Sequence, residues 1–230
     1  MWSYEKRLQF PVNIKEPNAK IAQVIMSQYG GPDGELGASM RYISQRYTMP
    51  YNEVAAILTD IGTEELAHLE MVSTIVHQLT KNLSMEEIEE SGFANYYVDH
   101  TIGIWPMAAG GIPFNSCEFQ SKGDAITDLF EDMAAEQKAR TTYDNILRLV
   151  HDSDVCEPIR FLRAREIVHF QRFGETNRAY VSKYKVIIQE IPPRSSVFDF
   201  LFTFSTAQLL PNPKVFLFRS VSSNNTPETR

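Results

Sequence analysis

Residues 58–71 read Leu58-Thr59-Asp60-Ile61-Gly62-Thr63-Glu64-Glu65-Leu66-Ala67-His68-Leu69-Glu70-Met71, and residues 161–169 read Phe161-Leu162-Arg163-Ala164-Arg165-Glu166-Ile167-Val168-His169. Both carry a glutamate three residues before a histidine, Glu65 before His68 and Glu166 before His169. On a helix, positions three apart share a face about one turn from each other, so such a carboxylate and imidazole can point at one ion. With this chain's content of glutamate and five histidines, chance predicts roughly 0.4 such pairs. Two pairs are suggestive by themselves, and a lone histidine on a helix is more often structural. What decides is where the pairs fall.

Working outward, Val54, Ile57, Leu58, Ile61, Leu69, Val72 and Val76 recur at helical spacing, which predicts a helix over about 52–80. A second long helix is predicted over about 153–183, where Pro158 is tolerable in the first turn. Two more complete a set of four. One covers about 18–47 with a break at Gly30-Gly31-Pro32, after which Asp33 is placed to cap the restart. The other covers about 124–150. Helices one and two, and three and four, are expected to form two similar pairs. Ser84-x-x-Glu87 forms a capping-box pattern. Residues 91–123, rich in Gly and Pro, make a long connection expected to cross the bundle and cover one end.

The helical period stops after 183. Pro192-Pro193 introduces an aromatic, strand-like run over 197–204, which should pack on the bundle or on a neighbouring subunit. Residues 220–230 read as disordered. The expected organisation is therefore a four-helix-bundle domain over 1–183 and an extended C-terminal tail over 184–230.

Composition sets outer bounds. Hydrophobic residues make up 43% and charged residues 22%, which fits a globular chain with a substantial core. The net charge of −7 gives no basic footprint for nucleic acid or for an anionic membrane. No stretch approaches the apolar length of a spanning helix, and the first nine residues carry Glu5, Lys6 and Arg7 rather than a signal-type core. Cys117 and Cys156 have neither metal-type nor disulfide-framework spacing. A cytoplasmic location is expected.

Each Glu-x-x-His falls inside one predicted helix, and the other two helices each carry a single glutamate among small or apolar neighbours. Glu35 precedes Leu36, Gly37 and Ala38; Glu136 follows Met133, Ala134 and Ala135. A glutamate from each of two helices and Glu-x-x-His from each of the others is the two-metal plan of ferritin-like bundles. Four carboxylates and two imidazoles suit manganese or iron. Buried carboxylates without cations would repel one another and shift their pKa values upward. The residues alone leave six candidate ligands: Glu35, Glu65, His68, Glu136, Glu166 and His169.

These segments, together with Gly30-Gly31-Pro32-Asp33-Gly34-Glu35, Arg41-Tyr42-Ile43-Ser44-Gln45 and Met133-Ala134-Ala135-Glu136-Gln137-Lys138-Ala139-Arg140, resemble the four ligand helices of manganese catalases. The resemblance covers about residues 1–180 and is strongest to shorter members of the family, a group that includes spore-coat relatives. It implies an all-α, ferritin-like four-helix bundle with two manganese ions per subunit and a bridging water or hydroxide. Glu35 and His68 would be terminal ligands of one ion, Glu136 and His169 of the other, and Glu65 would bridge them. Glu166 would carry protons rather than bind metal, and Tyr42 would order the ligand carboxylates. The implied activity is disproportionation of hydrogen peroxide to water and dioxygen, as protection against oxidative stress, in a homo-oligomer, as a homohexamer.

Some relatives hold calcium with two acidic residues one turn apart on helix two. Here Asp60 is present but Ala56 stands one turn before it, which argues against calcium. Arg140, Arg163, Arg165 and Arg172 lie within a turn or two of the candidate ligands and could steady a carboxylate or form surface pairs. Two other readings stay open at this point: a di-iron oxidase of the same fold, and a structural coat-type protein that keeps the bundle with little activity.

Overall fold

The computed structural model describes Glu5, residues 7–97 and 104–183, and the backbone of 208–209 and 216–217. Helices α1 (Ala19–Gly30) and α2 (Glu35–Gln45) follow one another, interrupted where expected, and form the first rod of a four-helix bundle. The other rods are α3 (Asn52–Thr80), α6 (Ala125–Leu149) and α7 (Ser153–Lys183). Short helices α4 (Met85–Ser91) and α5 (Ala94–Tyr97) lie between α3 and α6. The chain divides into two compact units, Met1–Arg178 and Ala179–Arg230. In the second, β1 (Gln208–Leu209) and β2 (Phe216–Leu217) pair antiparallel, Gln208 opposite Leu217. The strand-like run expected at 197–204, its packing, and the terminal 220–230 lie outside the described residues. No described helix is long and apolar enough to cross a membrane.

Local chemistry explains the boundaries. The Asn18 side chain accepts from the Ile21 amide and starts α1, and Asp124 accepts from the Thr127 amide and starts α6. Ser84 and Glu87 complete the reciprocal capping box of α4. One cap differs from expectation. Gly34, not Asp33, is the N-cap of α2 and offers no side chain, while Asp33 pairs with Lys138 at 3.1 Å. An ion pair across to α6 has taken the carboxylate away from the helix start. Pro158 sits just past the first turn of α7 rather than in it.

The core runs along the middle of the bundle, where Ile25, Met26, Val72, Ile75, Leu79, Ile146, Ile159 and Leu162 are buried together. Each such side chain contributes about 1.5–3 kcal/mol on burial, so this apolar length holds the helices while the polar site sits beside it. Gly62 is where α3 comes closest to α2. A Cβ there would lie 2.9 Å from Ile43 Cγ1 and 3.1 Å from the Ile43 amide nitrogen.

Two segments dress the bundle. Residues ahead of α1 run along α3: Gln78 accepts from the Ile14 amide at 2.7 Å and donates to the Val12 carbonyl at 3.1 Å. Phe10 stacks on Phe161 with centroids 5.1 Å apart, and Gln9 reaches Glu64. The described part of the long connection touches the α1–α2 rod at two places. A Cβ on Gly30 would lie 2.2 Å from the Met107 amide nitrogen, and further on Gln45 donates to Ser121 at 2.9 Å. Trp105 in this connection is 60% exposed.

Candidate metal centre

Six residues from four helices converge in the interior. Glu35 opens α2, Glu65 and His68 lie in α3, Glu136 in α6, and Glu166 and His169 in α7; none is more than 2% exposed. Ligand atoms of Glu65, His68, Glu166 and His169 all lie within 4.8 Å of one another. Glu65 stands at the centre. Its Oε2 is 2.8 Å from His68 Nδ1 and its Oε1 is 2.6 Å from His169 Nδ1. Glu35 Oε2 lies 3.7 Å from His68 Nδ1, and Glu136 Oε2 lies 3.7 Å from His169 Nδ1. The two imidazoles face each other at 5.5 Å, inclined by 21°.

The electrostatics follow from this crowding. Burial and the Glu65 charge push Glu35 up to about 8. Burial raises Glu136 as well. Glu166 is driven well above the usual carboxylate range by burial and by Glu136, Glu35 and Glu65. Burial also acts against the charged form of Glu65, yet His68 and His169 outweigh it and hold that carboxylate low. Burial would lower His68 and His169, but the surrounding carboxylates raise both, His169 to about 12.

The donor set fits a pair of divalent cations. Glu136 Oε2 and Glu166 Oε1 are buried without a hydrogen-bond partner among the described residues, and Glu65 Oε1 and His169 Nδ1 approach each other without hydrogen-bond geometry. Inward-facing lone pairs in a cluster dominated by carboxylates leave negative charge that cations would compensate. Oxygen and imidazole donors in this number match manganese or iron rather than a four-coordinate zinc site.

Around these six, Tyr42 donates to Glu136 Oε1 at 2.5 Å and Tyr143 donates to Glu35 Oε1. Tyr42 therefore orders the carboxylate of the opposite rod, not the one on its own helix. Tyr143 is absent from the sequence-based set. So is Glu64, which turns out to organise both imidazoles. Its Oε2 is 3.1 Å from His169 Nε2 and its Oε1 is 3.6 Å from His68 Nε2. Arg165 holds the same carboxylate through two hydrogen bonds of 2.7 and 3.1 Å, and Gln9 donates to it at 2.7 Å. Burial opposes the Glu64 charge, but His169, His68, Arg165 and Gln9 together keep it far below the usual carboxylate range. Of the other arginines, Arg163 and Arg140 hold Asp144, and Arg172 holds Asp60. The acid that could have served calcium is thus engaged by a guanidinium.

A regularity in numbering would have found Tyr143. Glu35 and Glu136, Tyr42 and Tyr143, Glu64 and Arg165, Glu65 and Glu166, and His68 and His169 are each 101 positions apart. The two helix pairs expected from the sequence repeat at this spacing. Tyr143 is simply the counterpart of Tyr42.

An all-α bundle with carboxylates and imidazoles projecting inward from four rods is a ferritin-like fold, and its buried cluster fits a dimetal site. The family described as manganese containing catalase matches residues 1–195, and the chain belongs to it. Protein CotJC of Bacillus subtilis (strain 168) is 50% identical over 175 residues, covering 76% of this chain and 92% of that protein. A probable manganese catalase of Clostridium acetobutylicum is 30% identical over 177 residues, covering 76% and 79%. The crystal structure of KatB, a manganese catalase from Anabaena, superposes with a TM-score of 0.73 at 30% identity over 86% of this chain and 89% of that one.

Proposed function

We propose that this chain is a dimanganese catalase that converts hydrogen peroxide to water and dioxygen. The observation that carries this reading is the Glu65 carboxylate, which faces His68 with one oxygen and His169 with the other. Glu65 would bridge two manganese ions, with Glu35 and His68 on one and Glu136 and His169 on the other. Bound there, the two ions would supply paired one-electron changes, so that two electrons move per peroxide.

The protein's own residues position and exchange protons. Tyr42 and Tyr143 fix the orientation of Glu136 and Glu35, and Glu64 fixes the His169 ring through Nε2 and faces Nε2 of His68. Glu166 is read as the proton carrier and not as a sixth ligand. Its raised pKa makes it a carboxylic acid near neutral pH that can give a proton to a peroxide oxygen and recover it. Burial of the cluster excludes bulk water from the reacting atoms. This reading also makes the protein a cytoplasmic homohexamer protecting against oxidative stress, with calcium absent. The Asp60–Arg172 pair supports the absence of calcium.

The test is oxygen evolution from peroxide by purified protein, measured with manganese and iron content on the same sample. Two manganese ions per chain with azide-tested, haem-free turnover is the expected result. Iron at both positions and no oxygen release would replace this reading with that of a di-iron protein.

A further inference from the structure

A second buried polar cluster lies one turn from the metal centre and takes no part in it so far. Arg41 and Gln45 of α2 are each 2% exposed, and Asp132 of α6 is fully buried. Both Asp132 oxygens, Arg41 Nε and Nη1, and Gln45 Oε1 have no hydrogen-bond partner among the described residues. Burial drives the Asp132 carboxyl well up while the Gln45 amide and the Arg41 charge pull against it, so the three side chains share one space. Unmet donors and acceptors in an interior are costly unless a guest molecule meets them.

Placement makes this space an approach to the site. Arg41 adjoins Tyr42 in the chain, Asp132 stands one turn before Glu136, and the Asp132 charge is felt at the Tyr42 hydroxyl. Two described residues of the connection reach the cluster. Phe119 covers the Arg41 guanidinium with its ring centroid 5.9 Å away, and Ser121 is held by Gln45. The cluster also has no counterpart in the other half of the bundle. Positions 101 residues away from Asp132, Arg41 and Gln45 are Gly31, Thr142 and Ile146, and Ile146 belongs to the apolar core. The ligand residues obey the repeat and this cluster breaks it.

We propose that Arg41, Gln45 and Asp132 form a holding site for hydrogen peroxide on its way to the metal centre. The inference rests on the catalase reading above. The guest must be small, must donate to the Asp132 carboxyl and the Gln45 amide oxygen, and must accept from two guanidinium hydrogens. Hydrogen peroxide has two O–H donors and lone pairs on both oxygens, so one molecule can donate to the Asp132 carboxyl and to Gln45 Oε1 while accepting from both guanidinium nitrogens.

The test is the steady-state kinetics of Asp132→Asn and Gln45→Leu, each assayed as the manganese-loaded full chain with metal content determined in parallel. The expected result is two manganese ions per chain, kcat within about twofold of wild type, and KM for peroxide raised about tenfold, as for one lost hydrogen bond of that strength. Gln45→Leu keeps the test open if Asp132→Asn does not fold. An unchanged KM, a fall in kcat alone, or loss of manganese would overturn the holding site and leave the cluster a structural element. Those outcomes require an active wild type. A manganese-loaded wild type that releases no oxygen would overturn the catalase reading and the holding site with it.

Discussion

Glu64 and Arg165 occupy equivalent positions in the two halves of the bundle and meet each other through two hydrogen bonds of 2.7 and 3.1 Å. Where the repeat would place like beside like, the chain has put opposite charges. The pair lies behind the imidazoles, and Glu64 faces the Nε2 atoms of both His68 and His169.

Arg165→Met should therefore act on the metal rather than on the fold. Glu64 would lose its bidentate partner and its grip on both rings. Manganese affinity should fall about 10–100-fold, as for other residues that orient ligands. Residual manganese after dialysis against a graded chelator series measures this, and an unchanged retention curve would contradict it.

Glu65→Ala and Glu166→Gln should separate binding from chemistry. The first removes the carboxylate between the two imidazoles, and the purified variant should hold neither metal tightly. The second should keep two manganese ions and lose about 10²–10⁴-fold in kcat. A Glu166→Gln protein that emptied both sites would promote Glu166 to a ligand.

Tyr42→Phe and Tyr143→Phe should behave alike, because each removes a buried hydroxyl that donates to a carboxylate of the opposite rod. A loss of about 1.5–3 kcal/mol is expected for either in urea unfolding of the metal-free chain. A large inequality between the two would show that the halves are not equivalent at this layer.

Metal uptake should release protons. Glu35 is pushed up to about 8 and His169 to about 12, so both carry protons at neutral pH until a cation displaces them. Manganese affinity should rise with pH, and titration in weak buffer should record acid release. The sign for stability follows the same shift. Glu35 lies above its ordinary value of 4.5 when folded, so its contribution is present below that value and is lost as pH rises through about 8. The metal-free chain should melt lower at the alkaline end of that window from this group, and manganese should reverse the trend.

The four rods and six converging residues were legible because helical period and Glu-x-x-His spacing are local signals, as Glu65–His68 and Glu166–His169 show. The break before Glu35 was legible from its glycines and proline, but the Asp33 cap was not. Its competitor Lys138 is distant in sequence and becomes a neighbour only after folding. Glu64 was not legible because Arg165, Gln9 and His169 all reach it from elsewhere in the chain. Tyr143 was within reach of the sequence, since the 101-residue repeat carries it. The Arg41–Gln45–Asp132 cluster was not, because unmet hydrogen bonding is a property of packed neighbours.

Glu35 begins one helix and His169 lies deep in another, with the rest of the candidate donors spread over the chain between them. No single hairpin holds both Glu65 and its two flanking glutamates. Cation capture must then be a late event, open only once the last helix has docked onto the other three. Carboxylate and imidazole donors discriminate weakly between manganese and iron. The element that finally occupies the bundle would be decided by which ion is abundant wherever translation and docking finish, so timing and supply would select it as much as the ligands do.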